Sequence, residues 1–270
     1  MNNLLEFALV QYFRHSSKDP LHYVRDADGY TAVYEMHDWF SEAIEQPLEL
    51  RALSFVLPGR RVLDIGAGVG RHVLALKERG LVDVVAVDIM PEAVAMMRQR
   101  GVEHAYCVDV MAADLYGADR CLATPPTSCA ERDRLLQVVA DRGGAVFDVV
   151  LLLSDTIGFV GTVDGARQLL HRLQWWVAPD GLVLLDCSDI ELEIATNPLA
   201  HADFVAQQPT DVYVGQSQMH FEYRGARGPS FNWLYLSFEK LRALAAECGW
   251  RCFLLQREGS EYLVELRREQ

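Results

Sequence analysis

Basic residues are scarce in this chain: 25 lysines and arginines stand against 38 aspartates and glutamates, for a net charge of −13. No basic stripe interrupts that balance, so a phosphate backbone would be repelled and nucleic acid is not expected as a partner. Cysteine is limited to Cys107, Cys121, Cys129, Cys187, Cys248 and Cys252. None forms a CxxC pair or joins histidine at zinc-ligand spacing, so no metal site is expected and the thiols are read as reduced. Long apolar runs are missing too, the longest being strand-sized stretches such as residues 149–153. Residues 1–13 carry Glu6 and no positive leading segment. Neither export nor membrane association is expected, and the cytoplasm is the expected compartment.

What is present builds a core: half of the 270 residues are hydrophobic, with 11 Phe, 10 Tyr and 5 Trp, enough for one elaborated α/β domain. Residues 61–65 form a short apolar run ending at Gly66, and Val69, Val73, Leu74 and Leu76 follow at helical spacing. Residues 82–87 predict a second strand ending at Asp88, and Pro91 opens a helix closed by Gly101. A weaker strand over 105–108 precedes Asp109, and residues 118–144, with Pro125 and Pro126, read as an insertion holding a helix over 130–140. The continuous apolar run 146–153 predicts a strand covered on both faces. Thr162 caps a helix reaching Trp176, and Pro179-Asp180-Gly181 predicts a turn into a strand over 182–185. Residues 190–232 are too long for a simple connection, and 211–224 alternate as a hairpin would. A capped helix over 237–248 and strands over 251–256 and 262–266 complete the pattern. Strands alternating with helices imply parallel pairing in an open doubly wound sheet.

The first strand–helix turn concentrates the chemistry. Glycines at 66, 68 and 70 let the backbone pass close to a ligand and aim helix-N-terminal amides at a negative group such as a carboxylate. Asp88 follows Gly66 by 22 residues, near the ~20-residue offset at which a carboxylate accepts hydrogen bonds from a ribose diol. A nicotinamide-type GxGxxG pattern would place its third glycine at 71, where Arg71 stands, which weakens a dehydrogenase reading.

The segments VLDIGAGVGRHVLALKERG, VVAVDIMPEAVAMM and FDVVLLLSDTIGFVGTVDGARQLLHRLQWWVAPDGLVLLD together resemble the successive motifs of the class I S-adenosylmethionine-dependent methyltransferases. The resemblance covers about residues 62–186, with further likeness in GPSFNWLYLSFEKLRALAAECGW and YLVEL. It implies a Rossmann-like, doubly wound α/β fold: a mostly parallel seven-stranded sheet with an antiparallel C-terminal strand. In one methyltransferase domain, residues 1–58 are expected as an N-terminal helical cap, 59–187 as the cofactor-binding core, 188–234 as a lid insertion and 235–270 as the closing helix and strands. The implied cofactor is S-adenosylmethionine, with S-adenosylhomocysteine as product. Asp64, Gly66, Ala67, Gly68 and Gly70 match the motif that lines the methionine portion, and Arg71 is expected at the cofactor carboxylate. Asp88 would take the ribose with Ile89 packed on adenine, Asp109 and Val110 would meet the adenine edge, and Leu153 and Ser154 would lie beside the methionine moiety. Ser154-Asp155-Thr156 stands where members that methylate nucleic-acid amines resemble Asn- or Asp-Pro-Pro-Tyr, which points away from that branch.

Acceptor residues are expected in loops at the strand carboxyl ends. Residues 29–40 gather Tyr30, Tyr34, His37, Trp39 and Phe40, and Tyr34 and His37 are expected to face the cleft. His37, Asp155 and His220 are the catalytic candidates; Tyr34, Asp186, Tyr223, Asn232 and Trp233 are the substrate-binding ones. The leading expectation is in-line methyl transfer to an O, N, S or C atom of a small molecule, by a monomer or homodimer. The alternative is a non-catalytic S-adenosylmethionine-binding sensor or scaffold.

Overall fold

The computed structural model describes residues 3–80, 83–112, 129–141 and 147–269. The chain begins with α1 (Asn3–His15), the strands β1 (Leu21–Arg25) and β2 (Thr31–Tyr34), and the helices α2 (Met36–Phe40) and α3 (Pro47–Ser54). There follow β3 (Val62–Ile65), α4 (Arg71–Glu78), β4 (Val84–Asp88), α5 (Pro91–Gln99), β5 (Ala105–Cys107), α6 (Cys129–Asp141) and β6 (Phe147–Leu152). A short 3-10 helix (Thr156–Val160) leads to α7 (Val163–Trp176) and β7 (Val177–Ser188). Then come α8 (Ile190–Thr196), α9 (Ala202–Gln207), β8 (Gln216–Tyr223), β9 (Ala226–Arg227), β10 (Phe231–Leu234), α10 (Phe238–Glu247), β11 (Trp250–Glu258) and β12 (Glu261–Arg268).

The main sheet has seven strands among the described residues, in the order β11-β12-β7-β6-β3-β4-β5. Neighbours from β7 to β5 pair in parallel, and β12 runs antiparallel to β7. β3 and β4 are buried at every position because helices cover both faces. Alternation sends Leu63, Ile65, Val85 and Val87 to the face lined by α6, α7 and α10. Val62, Val84, Ala86 and Leu151 go to the face lined by α3, α4 and α5. Each such fully buried aliphatic side chain contributes roughly 1.5–3 kcal/mol, so this alternation fixes the register of the sheet. Thr162 caps α7 by accepting from the Gly165 amide at 3.0 Å, and Ser237 caps α10 by accepting from Lys240 at 3.3 Å.

The structure departs from the expectations in three places. Pro179-Asp180-Gly181 is not a turn: β7 runs straight through it, and its pairing with β6 jumps from Phe147↔Val177 to Val149↔Leu182. Pro179 and Asp180 are thereby extruded to solvent as a bulge. The N-terminal cap is not wholly helical, since β1 and β2 form an antiparallel hairpin turned at Gly29 (φ 70°). The alternating stretch 211–224 is not a hairpin of its own. Only β8 forms, and it pairs antiparallel with β1 on one side and β10 on the other. Its tight turn is Arg224-Gly225, both at positive φ, which joins it to β9. The expected insertion over 118–144 falls largely outside the described residues; its helix is α6.

The cap hairpin and residues 216–234 therefore build a second sheet, in the order β10-β8-β1-β2 with β9 on β8. Its apolar face (Leu21, Tyr23, Met219, Phe221, Tyr223) shares one core cluster with Ala8 and Leu9 of α1 and with Val69, Met90, Ala93 and Met96. Val69 lies in the loop after β3 and Met90 just after β4, so the second sheet sits over the carboxyl ends of the central strands. Among the described residues, no helix is long and apolar enough to cross a membrane.

Candidate active site

The strand order reverses between β3 and β6, and the loops leaving their carboxyl ends define a crevice of the kind that takes ligands in open α/β sheets. After β3 the chain turns through Gly66, Gly68 and Gly70, all at positive φ. Glycine is required twice over at Gly66: its φ is +69°, and a Cβ there would come 2.5 Å from Thr156 Cγ2. The loop thus lies against the segment that follows β6. Gly68 N donates to Asp88 Oδ2 at 2.8 Å, and Met90 N donates to Asp88 Oδ1 at 2.8 Å. This carboxylate is only 6% exposed, and burial pushes it up to about 6 against the pull of its amide donors. Ile89, beside it, is 39% exposed, an apolar side chain left open at the crevice. Asp109 accepts from the Met111 amide at 2.8 Å, and Val110 is buried next to it.

A buried polar cluster lies behind the glycine loop. Asp64 is 1% exposed, its Oδ2 has no hydrogen-bond partner, and burial raises it to about 6. Oδ2 lies 3.9 Å from Nδ1 of His72, whose Nε2 makes no hydrogen bond but lies 3.5 Å from the Glu49 carboxylate, and whose basicity burial lowers. Arg71 donates to the Asp38 carbonyl at 3.0 Å and pairs with the buried Glu49 of α3, leaving its Nε unpartnered. Glu49 in turn accepts from Ser154 Oγ at 2.8 Å. Unpartnered buried donors and acceptors of both signs suit the ammonium and carboxylate of an amino-acid tail.

The turn after β6 is held in an uncommon conformation. Ser154 (φ 63°) and Asp155 (φ 55°) are consecutive left-handed residues without the freedom of glycine. Asp186 imposes it from β7 by accepting from Ser154 N at 3.0 Å and Asp155 N at 2.7 Å. Burial, aided by Asp155, pushes Asp186 up to about 7. The Asp155 carboxylate accepts from Ser188 N at 2.6 Å and Ser188 Oγ at 2.8 Å, and burial raises it as well. Asp186 is thus a positioning group for the turn.

The other acceptor candidates separate. Tyr34, half-buried on β2, meets Trp39 edge-on at 6.0 Å, and the Trp39 ring lies 4.0 Å from where a Cβ on Gly68 would stand. Trp233 packs against Gly158 and meets Tyr23 edge-on at 5.9 Å, while Asn232 is exposed and packs its Cβ against Gly161. His37 is 66% exposed on its side chain and pairs with Asp38 at 2.9 Å, so it projects to solvent. His220 is buried on β8, between Asp26 and Glu222. Strand alternation places it on the face opposite Phe221, whose ring meets that of Tyr23 at a tilt, 5.3 Å between centroids, so His220 is held by the far side of the second sheet. Tyr223 packs under α1, meeting Phe7 edge-on at 6.0 Å and reaching Ser17 at 3.1 Å. Sequence reasoning missed Glu49, Ser188, Tyr23 and Tyr235. Glu49 had a usable signal: it shares the apolar stripe of α3 with Leu48, Ala52 and Leu53, where an unpaired charge would be costly. Among the described residues, no three His, Cys, Asp or Glu side chains gather as a metal-ion site.

Residues 62–125 match a family described as a methyltransferase domain. An uncharacterised methyltransferase of Mycobacterium tuberculosis is 53% identical over 49 residues, which is 17% of this chain and 20% of that protein. A ribosomal protein L11 methyltransferase of Symbiobacterium thermophilum is 40% identical over 60 residues, or 22% and 20% of the two chains. The chain thus spans about a fifth of the length of the curated relatives it matches. A solved S-adenosylmethionine-dependent methyltransferase of Bacteroides fragilis, in complex with S-adenosyl-L-homocysteine, has the same fold over 98% of this chain and 94% of its own, with a TM-score of 0.72 and 24% identity. The sugar N-methyltransferase KedS8 of Streptoalloteichus covers 90% of this chain and 99% of its own with a TM-score of 0.52 and 16% identity.

Proposed function

We propose that this chain, which has the fold of the class I S-adenosylmethionine-dependent methyltransferases, transfers a methyl group to a nucleophilic atom of a small molecule and releases S-adenosylhomocysteine. One observation carries the reading: the glycine loop after β3 is tied through Gly68 to the buried Asp88 at 2.8 Å, in the crevice where the strand order reverses. The residues fit the cofactor. Asp88 keeps lone pairs for a ribose diol, the exposed Ile89 offers an apolar surface to a base, and Asp64 and Arg71 hold polar atoms without hydrogen-bond partners behind the loop.

Bound S-adenosylmethionine supplies a methyl group already activated by its sulfonium. The protein then has to hold an acceptor lone pair in line, exclude water and receive a proton where the acceptor carries one. Orientation alone is worth several kcal/mol of barrier, about 7–11 in well-aligned systems. The second sheet covers the strand ends and restricts water, and the Asp155 turn, fixed by Asp186 and Ser188, sets a carboxylate at the edge of the crevice. A small acceptor is supported by the acidic composition, which disfavours nucleic acid, and by the sugar methyltransferase among the proteins of like fold. Titration with S-adenosylmethionine and S-adenosylhomocysteine, followed by incubation of methyl-labelled donor with a metabolite panel, tests this. Absence of binding by both nucleosides refutes it, and binding without label transfer leaves the sensor reading in its place.

A further inference from the structure

The crevice holds a second set of side chains that the adenosyl group does not require. Trp39 packs at the glycine loop, Tyr34 meets it edge-on, and Tyr23 lies 5.8 Å from Tyr34 and 5.9 Å from Trp233. Trp233 leans on Gly158, three residues beyond Asp155. Tyr23 is 5% exposed, and the Tyr235 hydroxyl is the neighbour of its own. Burial first, and then the charge of Asp155, raises the hydroxyls of both Tyr34 and Tyr235, and Asp155 also bears on Tyr23. The Asp155 turn joins this aromatic group through Gly158, whose amide donates to the Asp155 carbonyl at 2.8 Å and which Trp233 covers. The nearby cations are committed elsewhere, Arg71 to Glu49 and Asp38, and Arg25 to Asp28. Asp155 is held by the Ser188 amide and hydroxyl rather than by a basic side chain, and aromatic faces beside such a carboxylate attract a cation and repel an anionic acceptor.

We propose that the acceptor is an amine, received as its ammonium ion between the Asp155 turn and the rings of Tyr34, Trp39 and Trp233. This rests on the methyl-transfer reading above. Asp155 takes one proton from the R–NH3+ group. The freed nitrogen lone pair forms the N–CH3 bond as the S–CH3 bond breaks, and the S–C electron pair returns to sulfur. The product leaves as R–NH2CH3+, and the Asp155 proton passes to solvent.

Calorimetry on the full chain saturated with S-adenosylhomocysteine tests the assignment, using choline and its uncharged isostere 3,3-dimethyl-1-butanol as probes. Choline is expected to bind at least tenfold more tightly. Tyr34→Phe should reduce that preference severalfold, and Asp155→Asn should bring it close to unity. Equal affinities, or no choline binding by a protein that does bind S-adenosylhomocysteine, overturn the amine assignment. Failure to bind S-adenosylhomocysteine overturns the methyl-transfer reading instead.

Discussion

Replacing Asp88 by Asn removes one charge and one acceptor at the point where the glycine loop meets β4. The carboxylate uses one oxygen for the Gly68 amide and the other for the Met90 amide, each at 2.8 Å, and keeps a lone pair on each for a ribose hydroxyl. Hydrogen bonds to a charged group contribute about 1.5–3 kcal/mol each, and two hydroxyls sharing one charge fall short of the doubled figure. The expected loss is therefore about 2–4 kcal/mol, or roughly 30- to 700-fold in Kd for S-adenosylhomocysteine. The Asn amide must also turn its NH2 toward one of the two backbone donors, which loosens the loop and lowers the melting temperature of the apo protein. Calorimetric titration at pH 7.5, below the unfolding transition of both proteins, reads the affinity directly. A change under threefold in a folded variant would refute the assignment of Asp88 to the ribose.

Further expectations follow from the same geometry. Gly66→Ala should abolish S-adenosylhomocysteine binding, because its Cβ would meet Thr156 Cγ2 at 2.5 Å; adding Thr156→Ser removes that methyl and should recover part of the melting temperature, though not the strain of a +69° φ. Asp186→Asn leaves one oxygen for two backbone amides and should cost about 1.5–3 kcal/mol in urea unfolding, with a larger effect on methyl transfer than on S-adenosylhomocysteine affinity. Ribose hydroxyls favour the charged form of Asp88, which stands at about 6 in the free protein, so binding should release protons near pH 6. Affinity should then weaken as pH falls below about 6 and level off above about 7; pH-independent affinity from 5 to 8 would contradict this. Burial raises Asp64, Asp88 and Asp186 to about 6, 6 and 7, so the folded apo protein keeps protons that the unfolded chain releases near its ordinary value of about 4. Their contribution to stability is full at low pH and is lost as pH rises from about 4 to about 7, opposed only in part by His72, which burial pushes down. The urea midpoint of the apo protein across that window measures it.

The segments proposed to take the cofactor carry signals that are local in sequence. Three glycines, one strand-end aspartate and continuous apolar strands lie within thirty residues, and each constraint is a matter of backbone conformation or burial. The proposed acceptor half is less legible in sequence, because it is assembled from β1, β2, β8 and β10, strands far apart in sequence that pair with each other. Alternation in residues 216–223 revealed a strand but not its partners, and a hairpin was the cheaper local solution. Histidine misled for the same reason: His220 has the right chemistry, but the pleat turns it toward Asp26 and Glu222. Pro179-Asp180-Gly181 has turn composition yet stays in β7, since the ladder closes again at Val149↔Leu182 and tolerates the extruded residues at the surface. Burial of Glu49 depends on Arg71 and Ser154 from two other elements, so its periodicity hinted at a role without naming one.

A crystal structure of the protein with S-adenosylhomocysteine tests the central claim most directly. Both ribose hydroxyls are expected on the Asp88 carboxylate, the amino-acid tail behind Gly66 among Asp64, Arg71 and Glu49, and the sulfur facing the side of the crevice that holds Tyr34 and Asp155. A nucleoside bound with Asp88 still engaged only by Gly68 and Met90 would contradict it.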